Sequence, residues 1–558
     1  MLDLWYKNAI VYCLDVGTFR DSCGTGVGDF QGLANRLDHI EALGVNCLWL
    51  LPFYESPNRD NGYDVSDYYS VDSAHGSLGD FVSFMHAASD RGLRVILDLV
   101  ANHTSIDHPW FQEARRNPDS VYRDWYIWSK EKPEDPHEGM IFPGMQKSTW
   151  TYDEVAGAWY FHRFFDFQPD LNIANPAVKE EIDKIMGFWL QLGASGFRLD
   201  AVPFLIEFKG LEEEERPDHD PHHYLTELRT FLAWRKSRAI LLGEANISFD
   251  HATDYFGSGG DRIQIIFNFV LNQNMFLALS RRDAEPIRKA LSQMPELPET
   301  AQWANFLRNH DELDLARLSD SERQEVFEAF APDPSMQIFG RGIRRRLAPM
   351  LGNERRIKMA YSLMFAMPGT PVLWYGEEIG MGEDLSLPER NSVRTPMQWD
   401  DGPNAGFSSA SSDKLLRPVI NDGPYSYRKV NAASQHDKPG SIMEHIQRLI
   451  RTRRSCPEVG WGNWTVLPTS ETSVLALRYR WRGNTLVVLH NLDDRCVETK
   501  IDWEGEQARL VPMFCDTDDR TARSALDPIT MNPYGFLWMR VMTDDDKPGQ
   551  EPSGTGHA

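Results

Sequence analysis

Eight runs of nearly continuous apolar residues recur along the first two thirds of this chain, with longer mixed stretches between them. They read as strands near 9–16, 46–52, 94–100, 196–200, 239–243, 264–269, 305–309 and 371–375. Continuous rather than alternating hydrophobicity marks strands buried on both faces, as in a parallel sheet. The intervening stretches, such as 30–43, 79–91 and 178–192, read as helices. Alternating strands and helices of this number predict an α/β fold, a closed (β/α)8 TIM barrel with its helices outside.

Two connections are too long for plain loops. The one after the third strand, from Val100 to the helix near 178, is rich in Trp, Tyr, Phe and Pro and reads as a subdomain inserted over the barrel mouth. A second insertion, about 376–440, follows the eighth strand. Beyond about 465 the pattern changes to short β runs (Val474–Tyr479, Thr485–His490, Arg509–Phe514, Tyr534–Val541), predicting a separate C-terminal antiparallel β domain. The expected division is therefore 1–103 and 173–464 for the barrel, with a lid at about 376–440. Residues 104–172 form the inserted subdomain, 465–542 the β domain, and 543–558, rich in Asp, Gly and Pro, a disordered tail.

Three of the barrel runs lead into a carboxylate: G-F-R-L-D at 196–200 into Asp200, L-L-G-E at 241–244 into Glu244, and R-N-H-D at 308–311 into Asp311. A single acid after a strand often only caps the next helix. Three in order are different, because a parallel barrel gathers the C-terminal ends of its strands at one mouth. Two neighbouring carboxylates, one ionised and one protonated, are what cleavage of a glycosidic bond with retention requires.

Composition narrows the partners. The 558 residues exceed what one core usually holds. A formal charge of −24 argues against nucleic acid or an anionic membrane face and suits a neutral small molecule. The 17 Trp, 18 Tyr and 29 Phe supply flat faces on which sugar rings pack, although core filling is the commoner use. The six cysteines (Cys13, Cys23, Cys47, Cys456, Cys496, Cys515) have no metal or redox spacing and read as reduced thiols. Neither a signal-peptide pattern at the N-terminus nor an apolar run long enough to span a membrane is visible, so a cytoplasmic enzyme is the expectation. Oligomeric state stays open, with a homodimer among the options.

With these residues in hand, the chain resembles the α-amylase superfamily of retaining α-glycoside hydrolases and transglycosidases over nearly its whole length. The motifs are Asp98-Leu-Val-Ala-Asn102-His103, Gly196-Phe-Arg198-Leu-Asp200, Gly243-Glu244-Ala-Asn and Asn309-His310-Asp311, together with Gln168-Pro-Asp170-Leu-Asn172. Within the superfamily it is most similar to the trehalose synthase group, which interconverts maltose and trehalose. The residues that carry this are Trp5-Tyr-Lys, Leu50-Leu-Pro-Phe-Tyr54, Asp60-Asn-Gly-Tyr63-Asp64, His162-Arg-Phe-Phe165, Arg344-Arg-Arg-Leu-Ala-Pro349 and Pro533-Tyr-Gly, whereas Val393-Arg394-Thr-Pro-Met-Gln-Trp399 is shared with α-glucosidases.

The resemblance implies Asp200 as nucleophile, Glu244 as acid/base and Asp311 as transition-state stabiliser. Arg198 lies two residues before Asp200, on the same strand face, and can hold it ionised. Tyr63, Asp64, His103, Gln168, His310 and Arg394 are implied to bind the terminal glucose, with Asp98 supporting the site from below. An Asp–Arg clamp closes one end of such a site and favours short substrates over polymers.

No organic cofactor is expected. A structural calcium is implied between barrel and insertion, on Asn102, Asp170, the carbonyls of Phe204 and Leu205, and Glu207. A second calcium loop, common in relatives, is expected to be lost: Asp21-Ser-Cys23-Gly-Thr25-Gly-Val-Gly-Asp29 offers a sulfur and a weak neutral oxygen where a hard ion wants oxygens. The segment 211–222, Leu-Glu-Glu-Glu-Glu-Arg-Pro-Asp-His-Asp-Pro-His, also lacks the pattern of Asn and Glu that helps seal the site against water in the group, although Glu312, which resembles a partner in that seal, is present. A leakier lid would turn isomerisation into hydrolysis. Two enzymatic outcomes therefore stand, intramolecular isomerase and exo-acting α-glucosidase. A homologue that had lost catalysis should lack an acid or Arg198, and none is missing.

Overall fold

A computed structural model describes residues 3–207, 209, 220–503, 508–517 and 520–542. Eight strands close into a barrel: β1 (Val11–Leu14), β2 (Cys47–Leu50), β3 (Arg94–Leu99), β4 (Gly196–Leu199), β5 (Ile240–Gly243), β6 (Ile265–Phe267), β7 (Gln302–Asn305) and β8 (Thr370–Trp374). Every neighbouring pair is parallel, and β1 meets β8 with Val11 opposite Val372 to complete the circle. Seven strands fall where the apolar runs predict. The eighth is a correction: the run expected at 305–309 is strand only at Gln302–Asn305, and Phe306 and Leu307 are buried without joining the ladder.

The helices begin where their caps dictate. Ser77 and Asp80 form a capping box at the start of Leu78–Asp90, and Asn175 with Pro176 opens Pro176–Gln191. The expected helix 30–43 is two, Phe30–Ala34 and Leu37–Leu43, broken where Arg36 lays its guanidinium 4.2 Å over Trp399.

The connection after β3 carries a helix, Pro109–Arg116, and a small antiparallel sheet of Trp128–Ser129, Ala158–Phe161 and Trp150–Asp153. It is tied back to the barrel by a bridge from His103 to Asp170, and a second bridge, Tyr126 to Leu171, closes it internally. The segment after β8 runs through short 3-10 turns, including Glu389–Val393.

The C-terminal residues form a six-stranded antiparallel sheet in the order β9 (Asn463–Leu467), β10 (Val474–Trp481), β11 (Asn484–Asn491), β14 (Phe536–Met542), β12 (Arg509–Cys515), β13 (Arg523–Ser524). It packs on helix Glu354–Ala366, where Ser362 accepts from Trp538 Nε1 at 2.9 Å and Tyr479 donates to the Ala366 carbonyl at 2.5 Å. Among the described residues no helix is long and apolar enough to cross a membrane. Four of the cysteines are buried, and Cys23 and Cys496 are exposed. Residues 211–219 of the acidic segment and the expected tail from 543 lie outside the described residues.

Candidate active site

Register places the first cluster. Asp98 on β3 and Arg198 on β4 are direct partners, and Leu242 on β5 sits opposite Arg198, so Glu244 emerges just beyond it. The close approach of β5 requires Gly196 at the start of β4: a Cβ there would lie 2.2 Å from the Ile240 carbonyl oxygen. Strand periodicity then puts Arg198 and Asp200 on one face. Arg198, 1% exposed, donates through Nη1 to Asp98 Oδ1 at 2.7 Å and Asp200 Oδ1 at 2.6 Å, and through Nη2 to Glu244 Oε2. One guanidinium thus holds three carboxylates. Ala201, straight after Asp200, is left-handed (φ 48°, ψ 45°), a strain of about 1–2 kcal/mol for a residue with a Cβ. The turn sends the chain from β4 into Val202–Leu205 and leaves the Asp200 carboxylate at the mouth.

Charge within this cluster is uneven. Burial raises all three acids and Arg198 opposes it; Asp98 and Asp200 come to about 6 and Glu244 to about 7, the last lifted further by Asp200 and Asp311. Glu244 therefore keeps its proton to higher pH than Asp98 or Asp200. Asp311 behaves oppositely. Burial would raise it, but His310, Arg390 and Arg394 hold it well below the usual carboxylate range. Arg390 Nη1 and Arg394 Nη2 each donate to Asp311 Oδ1 at 2.7 Å, and His310 Nε2 lies 3.0 Å from Oδ2.

The sequence-implied binding residues divide. Tyr63 and His103 line the same cavity as Asp200, Glu244 and Asp311. Tyr63 donates to Asp98 Oδ2 at 3.1 Å, lies 2.9 Å from His310 Nε2, and stacks on that imidazole at 5.9 Å. His310 and Arg394 are fully buried behind Asp311, where Arg394 Nε donates to the His310 carbonyl at 2.8 Å. Burial takes both His103 and His310 down to about 4, so they are neutral.

Asp64 is a correction. Its carboxylate is turned into its own loop, accepting from Ser56 Oγ at 3.0 Å and from the Arg59 and Asp60 amides at 3.1 Å. It shapes the turn, and Asp60 faces the cavity instead. Gln168 is a second: wholly buried, it reaches the cavity only by donating to Asp60 Oδ2 at 3.0 Å.

Asp60 and Arg390 were passed over in the sequence. Asp60 heads the same D-N-G-Y-D motif as Asp64, and Arg390 stands four residues before Arg394 on one short turn. Arg390 also lies 3.6 Å from Asp60 Oδ1 and 5.2 Å over the Phe142 ring. The inserted subdomain roofs the opening there. Phe142 packs on Phe339 at 4.9 Å, and Arg341 Nη1 donates to the Ile141 carbonyl at 3.0 Å. Glu312, also on the wall, is raised by burial to about 7. The enclosed space is about 280 Å³, at the small end of ligand pockets, which run ~300–1,000 Å³.

The implied calcium set does not fit a metal. Lys209 Nζ sits among its donors, 2.6 Å from Asp170 Oδ2 and 2.5 Å from Asn102 Oδ1. Glu207 pairs with Arg163 at 2.5 Å, and the Phe204 carbonyl accepts the Glu207 amide at 3.4 Å. Asn102, Asp170, Phe204 and Glu207 are thus engaged within the chain, and Leu205, the fifth of the set, offers a lone carbonyl. In the 21–29 loop the Asp21 carboxylate is already engaged within the chain. Asp21 accepts from the amides of Cys23, Gly24 and Gly26 at 2.8–2.9 Å and from Ser408 Oγ, so its oxygens are satisfied internally. Burial would raise Asp21, but Ser408 and the amides outweigh it and lower it.

Comparison with known proteins agrees with this architecture. The family description alpha amylase, catalytic domain, matches residues 16–331 and 342–462. A trehalose synthase of Thermus thermophilus is 43% identical over 542 residues, 96% of this chain; the chain spans 55% of that protein's length. The trehalose synthase/amylase TreS of Mycolicibacterium smegmatis is 45% identical over 563 residues, covering 98% of this chain and 94% of that one. Among solved structures, the trehalulose synthase MutB from Pseudomonas mesoacidophila MX-45 matches with a TM-score of 0.76 at 26% identity, covering 96% of this chain and 99% of that one. The Bacillus licheniformis trehalose-6-phosphate hydrolase TreA matches with a TM-score of 0.76 at 25% identity, covering 97% and 100%.

Proposed function

The chain belongs to the α-amylase family, and from that premise we propose that it is a retaining glucosyl isomerase that interconverts maltose and trehalose. The observation that carries the reading is the closed end of the cavity. Asp311, held by Arg390 and Arg394 with Asp60 beside them, walls that end with an acid–arginine clamp, which suits a terminal glucosyl unit better than a polymer chain. Tyr63 supplies an aromatic face at that end. The single guanidinium bridging Asp200 and Glu244 favours the short carboxylate spacing of retention over the wider ~6.5–9.5 Å spacing of inversion.

The steps follow from the charges. Ionised Asp200 attacks the anomeric carbon of the non-reducing glucose. The C1–O4 bond breaks as protonated Glu244 gives its proton to O4, leaving a glucosyl ester on Asp200 and free glucose. Asp311, pinned as a carboxylate, stabilises the positive charge that develops at the ring. The released glucose turns to present its O1 hydroxyl. Glu244, now a carboxylate, takes that proton, O1 attacks C1, and the ester breaks. Two inversions give net retention, and the product is trehalose.

All the groups in these steps are side chains, so no organic cofactor enters. The roof formed by Phe142, Phe339 and the Arg341–Ile141 bond supports retention of the glucose, because water reaching the ester would yield two glucose molecules. Cysteines without metal or redox spacing fit reduced thiols in a reducing compartment, and we place the enzyme in the cytoplasm. The test is product analysis by NMR after separate incubation with maltose and with trehalose. Each disaccharide should give the other with glucose as the minor product. Glucose alone would make the chain an α-glucosidase.

A further inference from the structure

The junction between the inserted subdomain and the barrel is held by a buried cation that the proposed reaction does not use. Lys209 is 5% exposed, and its ammonium bonds Asp170 Oδ2 at 2.6 Å and Asn102 Oδ1 at 2.5 Å. Three chain segments meet there. Asn102 follows β3, Asp170 closes the inserted subdomain at its bridge to His103, and Lys209 lies on the segment after the Asp200 strand.

The charges around it balance without a metal. Asp170 is offset by Lys209, and Glu207 by Arg163, whose backbone amide also donates to Asp170 Oδ1 at 2.8 Å. A divalent ion binds where acidic oxygens leave a net negative charge, commonly with six to eight oxygen ligands. Added here, it would bring two uncompensated charges into a buried site beside an ammonium, at a high desolvation cost.

The ammonium also sets its neighbours' orientation. With Asn102 Oδ1 committed to Lys209, the Asn102 amide nitrogen faces Asp170 Oδ2 and His103 Nδ1, each at 3.2 Å. His103 Nδ1 is then an acceptor, and the ring proton sits on Nε2, which lies 3.2 Å from the Tyr63 carbonyl at the cavity wall. A second-layer partner of this kind fixes both tautomer and ring direction.

We propose that the Lys209 ammonium is a built-in replacement for a divalent metal at this junction, and that through Asn102 it is a positioning residue for His103. The enzyme is then calcium-independent by construction, in stability as well as in activity. The positioning half rests on the functional reading above; the replacement half does not.

The test begins with the unmodified protein, using calcium itself as probe. After gel filtration, elemental analysis should find substoichiometric calcium, and excess EDTA or millimolar calcium chloride should move Tm by no more than about 1 °C. Lys209→Met should lower Tm by about 3–4 °C, because it strands Asp170 without its partner. Lys209→Glu turns the same donors into a net acidic set, and its Tm should rise when calcium is added, which the unmodified protein's does not. For maltose turnover, Lys209→Met should raise KM more than it lowers kcat while leaving the alkaline limb of the pH profile in place, since Lys209 does not touch Glu244. One bound calcium in the unmodified protein with a Tm that EDTA lowers would overturn the replacement, as would a Lys209→Met variant melting with the parent. The metal and chelator measurements need no variant to fold and no substrate to be turned over. An unchanged KM, in a preparation active on maltose, would overturn the positioning role alone.

Discussion

Replacing Glu244 by Gln separates the two carboxylate roles more sharply than any other change. The structure raises Glu244 to about 7 and Asp200 to about 6, while Asp311 is held ionised throughout. Activity therefore needs Asp200 without its proton and Glu244 with one. It should fall below about pH 6 as Asp200 is protonated, and above about pH 7 as Glu244 loses its proton, giving a narrow bell. Gln keeps an oxygen for the Arg198 contact but has no proton to give. General acid catalysis contributes roughly 10²–10⁴-fold, or about 2.7–5.4 kcal/mol at 1.36 kcal/mol per decade. Maltose kcat/KM should drop by that factor, because its leaving glucose is a poor leaving group. The first-turnover burst of fluoride from α-glucosyl fluoride, a step that needs no proton donor, should stay within about tenfold of the parent rate, whereas later turnovers should stall because Gln cannot take the acceptor's proton when the ester breaks. The assay is fluoride release and coupled glucose detection across the bell. With the fluoride substrate the alkaline limb should vanish and the acid limb should remain, since Asp200 must still lose its proton to attack. An alkaline limb that survives, or an equal loss on both substrates, would refute the assignment of the acid.

Asp60→Asn should cut maltose kcat/KM by about tenfold or more, the loss of one charge-assisted hydrogen bond to a sugar hydroxyl, with Tm nearly unchanged. Asp64→Asn should do the reverse, lowering Tm by a few degrees through the loop it pins; steady-state kinetics and calorimetry on both variants check the contrast. Arg341→Met releases the inserted subdomain from its bond to the Ile141 carbonyl, and the glucose share of the products from maltose should at least roughly double by NMR. Arg198→Met strands three buried carboxylates, and should abolish turnover and cost about 3–5 kcal/mol in denaturant unfolding.

Most of the barrel was legible because its strands are buried on both faces, which leaves an unbroken apolar run in the sequence. The same signal misleads wherever a loop is buried as deeply as a strand. Phe306 and Leu307 are 1% exposed and apolar, yet the ladder has already ended at Asn305. Burial is what hydrophobicity reports; hydrogen-bonded pairing is not. Asn309, His310 and Asp311 therefore stand on a loop rather than at a strand end. That loop is held in place by Arg308, which donates to the Arg345 and Asp311 carbonyls at 2.7 and 2.6 Å.

The site was legible where its chemistry is local and illegible where it depends on which distant charges meet. Asp200 and Arg198 share a strand, so their contact follows from a spacing of two. Asp60 and Asp64 sit in one motif, equal in residue type, and only the turn that Asp64 itself pins decides which of them reaches the cavity. The junction with the inserted subdomain makes the same point for metals. Asn102, Asp170 and Glu207 form a plausible calcium set when counted as oxygen donors. A donor count is not a charge count, however, and affinity for a hard cation depends on the second. Lys209 lies 39 positions from Asp170 and 107 from Asn102, with Arg163 46 positions before it. Nothing in their order along the chain marks them as one neutral cluster. Once folded, two acids face two cations in the same small volume, and the site that would have recruited a metal already carries its own.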